Sequence, residues 1–450
     1  MIKITTLQNG LRIVTESLPG KRLADLCLLV QVGSRHEKVE GGVAHAVEHC
    51  VFNGTANRGK EKITGEIEKR GGMVNAETSI ESTNYTALVL KEDFCDALDI
   101  LADMVQNPSF DKKDLAKEKK IICQEIKECA DDPESVLAEA TIKAAFDGQP
   151  ITHLTGGRLA QVRQMTPEKL RAFVDEHYTA ANMIVSASGD IEHEAFVQKC
   201  EKAFENIKSG EAVKTVPAVY EGSFEAVGRV LEQLKVEIAF KGYSYRDENR
   251  YACQMVADIL GDGFSSRLVN EVREKRGLAY DIHTWTDSFC DTGLFSVKVS
   301  SSPKQMREAI PVICEEILKF SHTLTEEELQ QAQRQYISGV LINHEKMTNH
   351  AAVNAEKLFE RGIINPVEKT LKAIKAVTKE DVIRVADEIF ASKPTFAAVG
   401  LTRGLISYDT LCRYLGYREN KTPNPTCVIK GAAGHGNRAA ACRRNGHMRN

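Results

Sequence analysis

The sequence lacks the features that would place it in a membrane or an oxidising compartment. No apolar run approaches the roughly 18 residues that a membrane-spanning helix needs. Residues 1–6 have neither the apolar stretch of a signal peptide nor the Arg/Ser-rich character of a transit peptide. The twelve cysteines form no Cys-x-x-Cys pair, which argues against a disulfide framework and against a cysteine zinc site. We therefore expect a cytoplasmic protein.

The net charge does not point to a macromolecular partner. A net charge of -4 is small for 450 residues, so it gives no reason to expect nucleic acid or a membrane surface as a partner. The composition, with 42% hydrophobic and 27% charged residues, is that of an ordinary globular protein. A chain of this length can bury a large core without disulfides.

The chain repeats one structural plan. A threonine-capped helix predicted from Thr166 leads into an apolar strand at residues 182–189, and a second one from Thr378 leads into residues 395–400. Further upstream, residues 110–115 resemble residues 324–329, and both segments open long amphipathic helices. We therefore predict an α+β fold of two homologous domains, each a mainly antiparallel sheet packed with long helices.

Composition sets the expected domain boundaries. The first domain should span residues 1–210 and the second residues 225–416. Residues 211–224, with glycine, proline and mixed polar residues, read as the linker. Residues 417–450 are basic and have no apolar periodicity, so we expect a disordered tail there.

One helical segment carries a metal-binding pattern. His45 and His49 are four residues apart on a helix predicted at residues 42–52, so they lie roughly 40° apart on one face and can reach one ion. Glu48 lies at the edge of that face, where it can act on a water molecule without binding the metal. The pattern His-x-x-Glu-His inverts the His-Glu-x-x-His of zinc peptidases. It predicts a zinc-dependent peptidase, although such a histidine pair can also be a coincidence.

A third ligand must come from elsewhere in the chain. The helix predicted at residues 111–129 offers Glu118, Glu125 and Glu128, the first two of which lie two turns apart on one face. Three isoleucines flank Glu125: Ile121, Ile122 and Ile126. We therefore expect largely buried surroundings, in which a carboxylate needs a partner such as a metal, while Glu118 could hydrogen-bond a ligating histidine. Alternatively, all three are ordinary solvated glutamates.

The second copy lacks these residues. By the repeat offset, Gly339 falls opposite Glu125 and Ala332 opposite Glu118, and the helix predicted at residues 251–260 has no histidine. We therefore expect the chemistry in the first copy alone.

With these motifs the sequence resembles the pitrilysin/insulinase-type inverted zincins over about residues 3–416. It is most similar to the short two-domain branch that includes the mitochondrial processing peptidase β-subunit and bacterial relatives. The resemblance is carried by the run Gly33-Ser34-Arg35-His36-Glu37 before the metal motif, by Asn53-Gly54-Thr55 after it, and by Gln124-Glu125-Ile126. His36, where the family commonly has Asp, and the loop at residues 151–157 depart from the family pattern.

The resemblance implies a role for each site residue. One zinc ion per chain would be bound by His45, His49 and Glu125, with Glu118 supporting a ligand and Glu48 as the general base. Residues 71–79 look like the family's edge strand, along which Asn75 and Ala76 would align a substrate peptide. A buried hairpin strand is the alternative there. The segment from Ser265 to Tyr280 resembles the family's Arg and Tyr pair, so Arg273 and Tyr280 would reach the substrate.

The resemblance also implies a function and an assembly. We expect a metalloendopeptidase that hydrolyses peptides or unfolded segments, with the chain forming half of a clamshell chamber. A homodimer is the simplest way to close that chamber. The alternatives are a subunit active only beside an inactive homologue, and a non-catalytic scaffold.

Overall fold

The computed structural model describes residues 1–346 and 349–417 of the chain. The tail predicted at residues 417–450 therefore lies outside the described residues, except for Tyr417. Among the described helices, none is both long and apolar enough to cross a membrane.

The first half of the chain builds a six-stranded sheet in the order β1-β2-β6-β3-β5-β4. Neighbouring strands are antiparallel except β2 and β6, which are parallel. The strands are β1 (Ile2–Thr6), β2 (Arg12–Ser17), β3 (Leu23–Val30), β4 (Met73–Thr78), β5 (Thr83–Leu90) and β6 (Met183–Gly189).

The second half builds a five-stranded sheet in the order β7-β11-β8-β10-β9. Here too a single neighbouring pair, β7 and β11, is parallel. The strands are β7 (Phe224–Gly228), β8 (Leu234–Lys241), β9 (Asp281–Ser288), β10 (Gly293–Ser301) and β11 (Thr395–Gly400). The predicted α+β class with two mainly antiparallel sheets is therefore confirmed.

Helices flank both sheets. The first half contains α1 (Val43–Val51), α2 (Lys60–Glu68), α3 (Phe94–Gln106), α4 (Lys112–Asp131), α5 (Pro133–Phe146), α6 (Leu159–Arg163), α7 (Pro167–His177) and α8 (His193–Ala203). The second half contains α9 (Arg250–Gly261), α10 (Pro303–Thr323), α11 (Glu326–Glu345), α12 (His350–Arg361), α13 (Val367–Lys375), α14 (Lys379–Phe390) and α15 (Tyr408–Tyr414). A π-helical turn covers Val269–Glu274.

The internal repeat appears in the caps as well as in the order of elements. The Thr166 side chain accepts a hydrogen bond from a backbone N–H at the start of α7, which leads into β6. Thr378 does the same at the start of α14, which leads into β11. Asp111 and Thr325 cap α4 and α11 in the same way. Each cap satisfies N–H groups that the first helical turn leaves unpaired.

One helix of each half packs on the sheet of the other half, an arrangement called here the helix exchange. Each half has its own large hydrophobic cluster, but α12 of the second half packs on β2, β3 and β6 of the first sheet, and α5 of the first half packs on β7, β8 and β11. In one of these contacts Ala351, Ala355 and Leu358 meet Val14 and Leu29. Since burying one leucine side chain contributes about 1.5–3 kcal/mol, these helices bind the halves to each other.

The segment between the sheets has no regular structure. No helix or strand is assigned between α8 and Phe224, where β7 begins, which covers the predicted linker up to its last residue. Its backbone is nevertheless fixed by side chains: Arg35 donates to the Val216 carbonyl at 2.9 Å, and Asp291 accepts from the Ala218 N–H at 2.7 Å.

Candidate metal centre

The helix α1 is held at its N-terminus by a carboxylate. Glu37 accepts the backbone N–H groups of Gly41, Gly42 and Ala44 at 2.8–2.9 Å. A negative charge there complements the helix dipole and pairs donors that would otherwise be left over. Burial raises the pKa of Glu37 to about 6, and the backbone N–H groups act in the opposite direction.

Two glycines let a loop lie against this helix start. Gly42 has φ +69°, and a Cβ there would lie 2.5 Å from the Gly156 carbonyl oxygen. A Cβ on Gly157, φ +71°, would lie 2.5 Å from the Gly41 backbone. Both positions therefore require glycine, for conformation and for space. The loop at residues 151–157, which departs from the family pattern, thus packs directly on the entry to α1.

Packing decides which face of α1 is free. Its apolar side chains are buried in the first core: Ala44, Ala46, Val47, Cys50 and Val51. His45, Glu48 and His49 occupy the remaining face and are partly exposed.

The helix α4 presents a second row of polar groups to this face. Leu115, Glu118 and Ile122 are its buried residues. The expectation that Glu125 sits in largely buried surroundings is wrong: its side chain is 39% exposed, and Ile121 is 47% exposed. Only one side of α4 packs on the core, so a run of isoleucines does not bury every neighbour. Glu128 is exposed, and its carboxylate accepts a hydrogen bond from the Gln124 amide rather than facing His45 and His49.

Three side chains from the two helices converge. The Nε2 atoms of His45 and His49 are 3.2 Å apart, and the Glu125 Oε2 atom lies 3.4 Å from His49 Nε2 and 3.8 Å from His45 Nε2. Ligands at about 2.1 Å from a tetrahedral zinc ion are roughly 3.4 Å from each other. The three atoms therefore have the spacing and the chemistry of a His₂Glu zinc site.

The His45 ring favours its neutral, metal-binding form. Burial, together with the nearby His49 charge, lowers the pKa of His45 to about 4. The His45 Nδ1 atom is buried without a hydrogen-bond partner among the described residues. The described polar contacts of this ring are therefore those of its Nε2 atom with His49 and Glu125.

A supporting network stands behind His49. Its Nδ1 atom lies 3.3 Å from Glu118 Oε2, and the Asn53 amide donates to Glu118 Oε1 at 3.0 Å. The Lys60 ammonium donates to Asn53 Oδ1 and lies 3.8 Å from Glu118. A carboxylate on the far nitrogen of a ligating histidine fixes the ring's orientation. Sequence reasoning missed Asn53 and Lys60 as parts of this network. Two signals pointed to Asn53: its four-residue spacing from His49, and the run Asn53-Gly54-Thr55 that carries part of the family resemblance.

Glu48 is tied to the sheet edge. The Thr78 hydroxyl donates to Glu48 Oε2 at 2.5 Å. Burial raises the pKa of Glu48, while the Thr78 hydrogen bond and the His49 charge act in the opposite direction. Thr78 is the last residue of β4, and sequence reasoning assigned it no role.

The strand β4 lies at the edge of the first sheet, as predicted, and not in a buried position. It pairs with β5 in register Asn75 to Thr86, and the sheet order gives it no second neighbour among the described strands. Asn75 is exposed and Ala76 half-buried. The outer backbone groups of β4 are therefore open to an extended peptide.

The predicted residues of the second half form a separate surface group. The Arg273 guanidinium lies 5.5 Å from the centre of the Tyr280 ring and 5.6 Å from that of Phe264. The two aromatic side chains are 78% and 79% exposed. No described hydrogen bond, ion pair or ring contact joins this group to the His45, His49 and Glu125 cluster. Phe264 was not singled out from the sequence.

Comparisons with known proteins find relatives that match both halves of the chain. Residues 12–157 match the protein family described as "Insulinase (Peptidase family M16)". Residues 164–336 match the family described as "Peptidase M16 inactive domain". A Rickettsia felis protein named "Uncharacterized zinc protease" is 33% identical over 88% of this chain and 97% of its own length. A Streptomyces coelicolor protein, also named an uncharacterized zinc protease, is 32% identical over 89% of both chains.

An Arabidopsis thaliana protein named "Probable mitochondrial-processing peptidase subunit beta" is 29% identical over 91% of this chain and 80% of its own length. Two solved structures share the fold. A protease from Helicobacter pylori has a TM-score of 0.82 and 21% identity, covering 89% of this chain and 99% of that one. A peptidase M16 inactive domain from Pseudomonas fluorescens has a TM-score of 0.83 and 19% identity, covering 89% of this chain and 98% of that one.

Proposed function

The chain belongs to the M16 (insulinase) family of peptidases, and from this premise we propose that it is a zinc metalloendopeptidase acting on peptides or unfolded polypeptide segments. The observation that carries the proposal is the triangle of His45 Nε2, His49 Nε2 and Glu125 Oε2, with sides of 3.2–3.8 Å.

These three residues would hold one zinc ion per chain. When bound, zinc supplies Lewis-acid polarisation of a carbonyl and lowers the pKa of a coordinated water. Glu118, through His49 Nδ1, would keep the ring in its ligating orientation. Asn53 and Lys60 would in turn hold the Glu118 carboxylate.

Glu48 is the general base of the proposed reaction. It would accept the proton of the attacking water and return it to the leaving amine. Burial favours proton uptake by this carboxylate, since it raises the pKa of Glu48. Thr78 would fix the direction of the carboxylate through its hydroxyl, and it would link the base to the strand beside which the substrate lies.

The substrate would add to β4 as a further strand. Main-chain groups of residues around Asn75 and Ala76 would pair with the peptide, which accounts for acceptance of varied sequences in extended form. Folded proteins present few free strands and would be poor substrates. Tyr280 would donate to the scissile carbonyl oxygen as charge develops there, with Arg273 beside it. Phe264 would add an apolar contact.

Metal content and peptidase activity of the isolated chain test the proposal together. We expect about one zinc per chain and hydrolysis of an unstructured peptide. Zinc without hydrolysis, followed by activity once an inactive homologue is added, would favour the obligate heterodimer. Absence of both zinc and hydrolysis would favour the non-catalytic scaffold.

A further inference from the structure

The second half contains a cavity that the proposed peptidase chemistry does not use. Its volume is about 710 Å³, and it lies where the start of α9 meets the end of α12 and the helices α13 and α14. Five cationic side chains line it: Arg246, Arg250, Arg361, Lys369 and Arg384. Two carboxylates, Glu248 and Asp381, line it as well. The cavity wall therefore carries an excess of positive charge.

Three of these five cations have no carboxylate at ion-pair distance among the described residues. Arg250 donates to the Asp247 carbonyl at 2.8 Å and to the Tyr251 hydroxyl at 2.9 Å, and its Nε atom is buried without a partner among the described residues. Arg246 donates to the Glu360 carbonyl at 2.9 Å. Within the described chain, no carboxylate lies at ion-pair distance from Arg246, Arg250 or Lys369. Guanidinium groups have five donors, so an anion here would complete unfilled hydrogen bonds.

The other two cations are only partly neutralised. The Arg361 guanidinium lies 3.4 Å from a Glu360 oxygen, and its Nε atom is buried without a partner in the described part of the chain. Arg384 pairs with Glu388 at 3.2 Å and with Asp381, one of the two carboxylates of the cavity wall, at 3.5 Å. Arg361 therefore keeps N–H donors that a bound anion could use. Most of the Arg384 charge, by contrast, is already neutralised.

The start of α9 adds unpaired donors. In the first half, the equivalent helix α1 has its N-terminal N–H groups capped by the Glu37 carboxylate. In the second half, Asn249 precedes α9 without a capping side chain, and the Tyr251 and Ala252 N–H groups have no described partner. In the first half a carboxylate of the chain itself, Glu37, occupies the start of α1. In the second half the start of α9 lines a cationic cavity instead.

We propose that this cavity binds a small polyanion bearing carboxylate or phosphate groups. The volume is that of a small-molecule site. The arginine forks match carboxylate and phosphate oxygens alike. Tyr251 and Val377 give the wall an apolar part, which suits a ligand with a compact carbon or phosphorus frame rather than a free monatomic ion.

Isothermal titration calorimetry on the full chain at constant ionic strength tests this, with citrate as the carboxylate probe and pyrophosphate as the phosphate probe. Both probes also chelate zinc. The wild type and a His45→Ala/His49→Ala variant are therefore titrated in parallel. Binding to the cavity persists in the double variant, whereas binding that disappears with the histidines belongs to the metal.

Substitutions locate the binding. We expect Arg250→Gln to weaken the better probe about tenfold, as loss of one charge-assisted contact predicts. Lys369→Gln, an exposed change that leaves the packing intact, should weaken it severalfold. Arg334→Gln, on the exposed side of α11, is the control and should leave the Kd unchanged.

The probe that binds more tightly, citrate or pyrophosphate, shows whether the ligand is a carboxylate or a phosphate. Failure of both probes to bind at millimolar concentration would overturn the proposal. Equal affinity in the Arg250→Gln, Lys369→Gln and control variants would do the same.

Discussion

The two halves of this chain share a scaffold but differ in the side chains at equivalent positions. In the first half α1 carries His45 and His49 and α4 carries Glu125. In the second half α9 has no histidine, and α11 has Gly339 opposite Glu125. Both versions have a buried apolar core of their own. The candidate metal ligands are therefore additions to a scaffold that the second half builds without them.

The capping of the two equivalent helices differs in the same way. Glu37 closes the start of α1 from within the chain, whereas the start of α9 opens onto a cationic cavity. In the proposed assignment, α1 holds the metal centre and α9 offers its free N–H donors to an anionic ligand. Substitutions in either half should abolish this difference between the two helices or assign it to particular residues.

Removing a metal ligand should have the largest effect. His45→Ala or Glu125→Gln leaves two of three ligands, so zinc content and hydrolysis should both fall to background. Metal analysis with a peptide assay on the purified variants measures this. The matched control is His322→Ala in the last turn of α10, which should change neither quantity. Full zinc and full activity in a ligand variant would exclude that residue from the site.

Removing the base separates metal binding from catalysis. Glu48→Gln keeps the size and the hydrogen bond to Thr78 but cannot take a proton, so the rate should fall about 10²- to 10⁴-fold while zinc stays bound. Loss of zinc in this variant would make Glu48 a ligand. Glu128→Gln, exposed on α4, is the control and should behave as the wild type.

Local patterns predicted much of this site, and long-range packing explains what they missed. The sequence placed both ends of α1 and α4 to within two residues, because helical spacing is a local signal. The Thr78 contact to Glu48 spans 30 residues and depends on how β4 crosses α1, which no local pattern encodes. The expected burial of Glu125 failed for a related reason. The flanking isoleucines show that a helix is apolar, but only tertiary packing decides which of them is covered.

The exchange of helices between the halves was equally hidden. The helix α12 is amphipathic, whereas the apolar residues of α5 are spread around its axis. Neither pattern identifies the other half's sheet as the surface on which the helix packs. The repeat predicted two copies of one unit. It did not predict that the copies are interlocked.

The third prediction tests the ionic link between the halves. Arg35, with a side chain only 1% exposed, pairs with Glu81 at 2.6 Å in the first half and with Asp291 at 2.8 Å in the second. Arg35→Ala leaves both carboxylates partly buried without their partner. The free energy of unfolding should therefore fall by about 3–5 kcal/mol, as measured by denaturant titration.

Arg70→Ala is the control for that experiment. Arg70 pairs with Asp93 and Asp96 on the exposed surface, where ion pairs contribute little. An Arg35 variant as stable as the Arg70 variant would show that the helix exchange alone holds the halves together.

The fourth prediction asks whether the second half takes part in the chemistry. Tyr280→Phe should lower the rate about 10²-fold if its hydroxyl donates to the developing oxyanion, and Arg273→Ala should lower it less. Zinc content should stay at the wild-type value in both. Tyr414→Phe on α15 serves as the control. Wild-type rates in both variants would show that the second half supplies no catalytic group, and that it only borders the site and contains the cationic cavity.

The last and smallest effect concerns assembly. All proposed catalytic groups lie in one chain, so pairing of two chains would shape access to the site rather than complete it. The exposed Phe264 and Tyr280 rings and the open edge of β4 are surfaces that soluble monomers usually cover. A twofold homodimer closing a chamber would cover them. Light scattering should then give twice the chain mass of 49.8 kDa, and dilution into monomers should change the peptidase rate severalfold. A monomer with a concentration-independent rate per chain would refute the paired chamber and leave the two halves of a single chain as the whole enzyme.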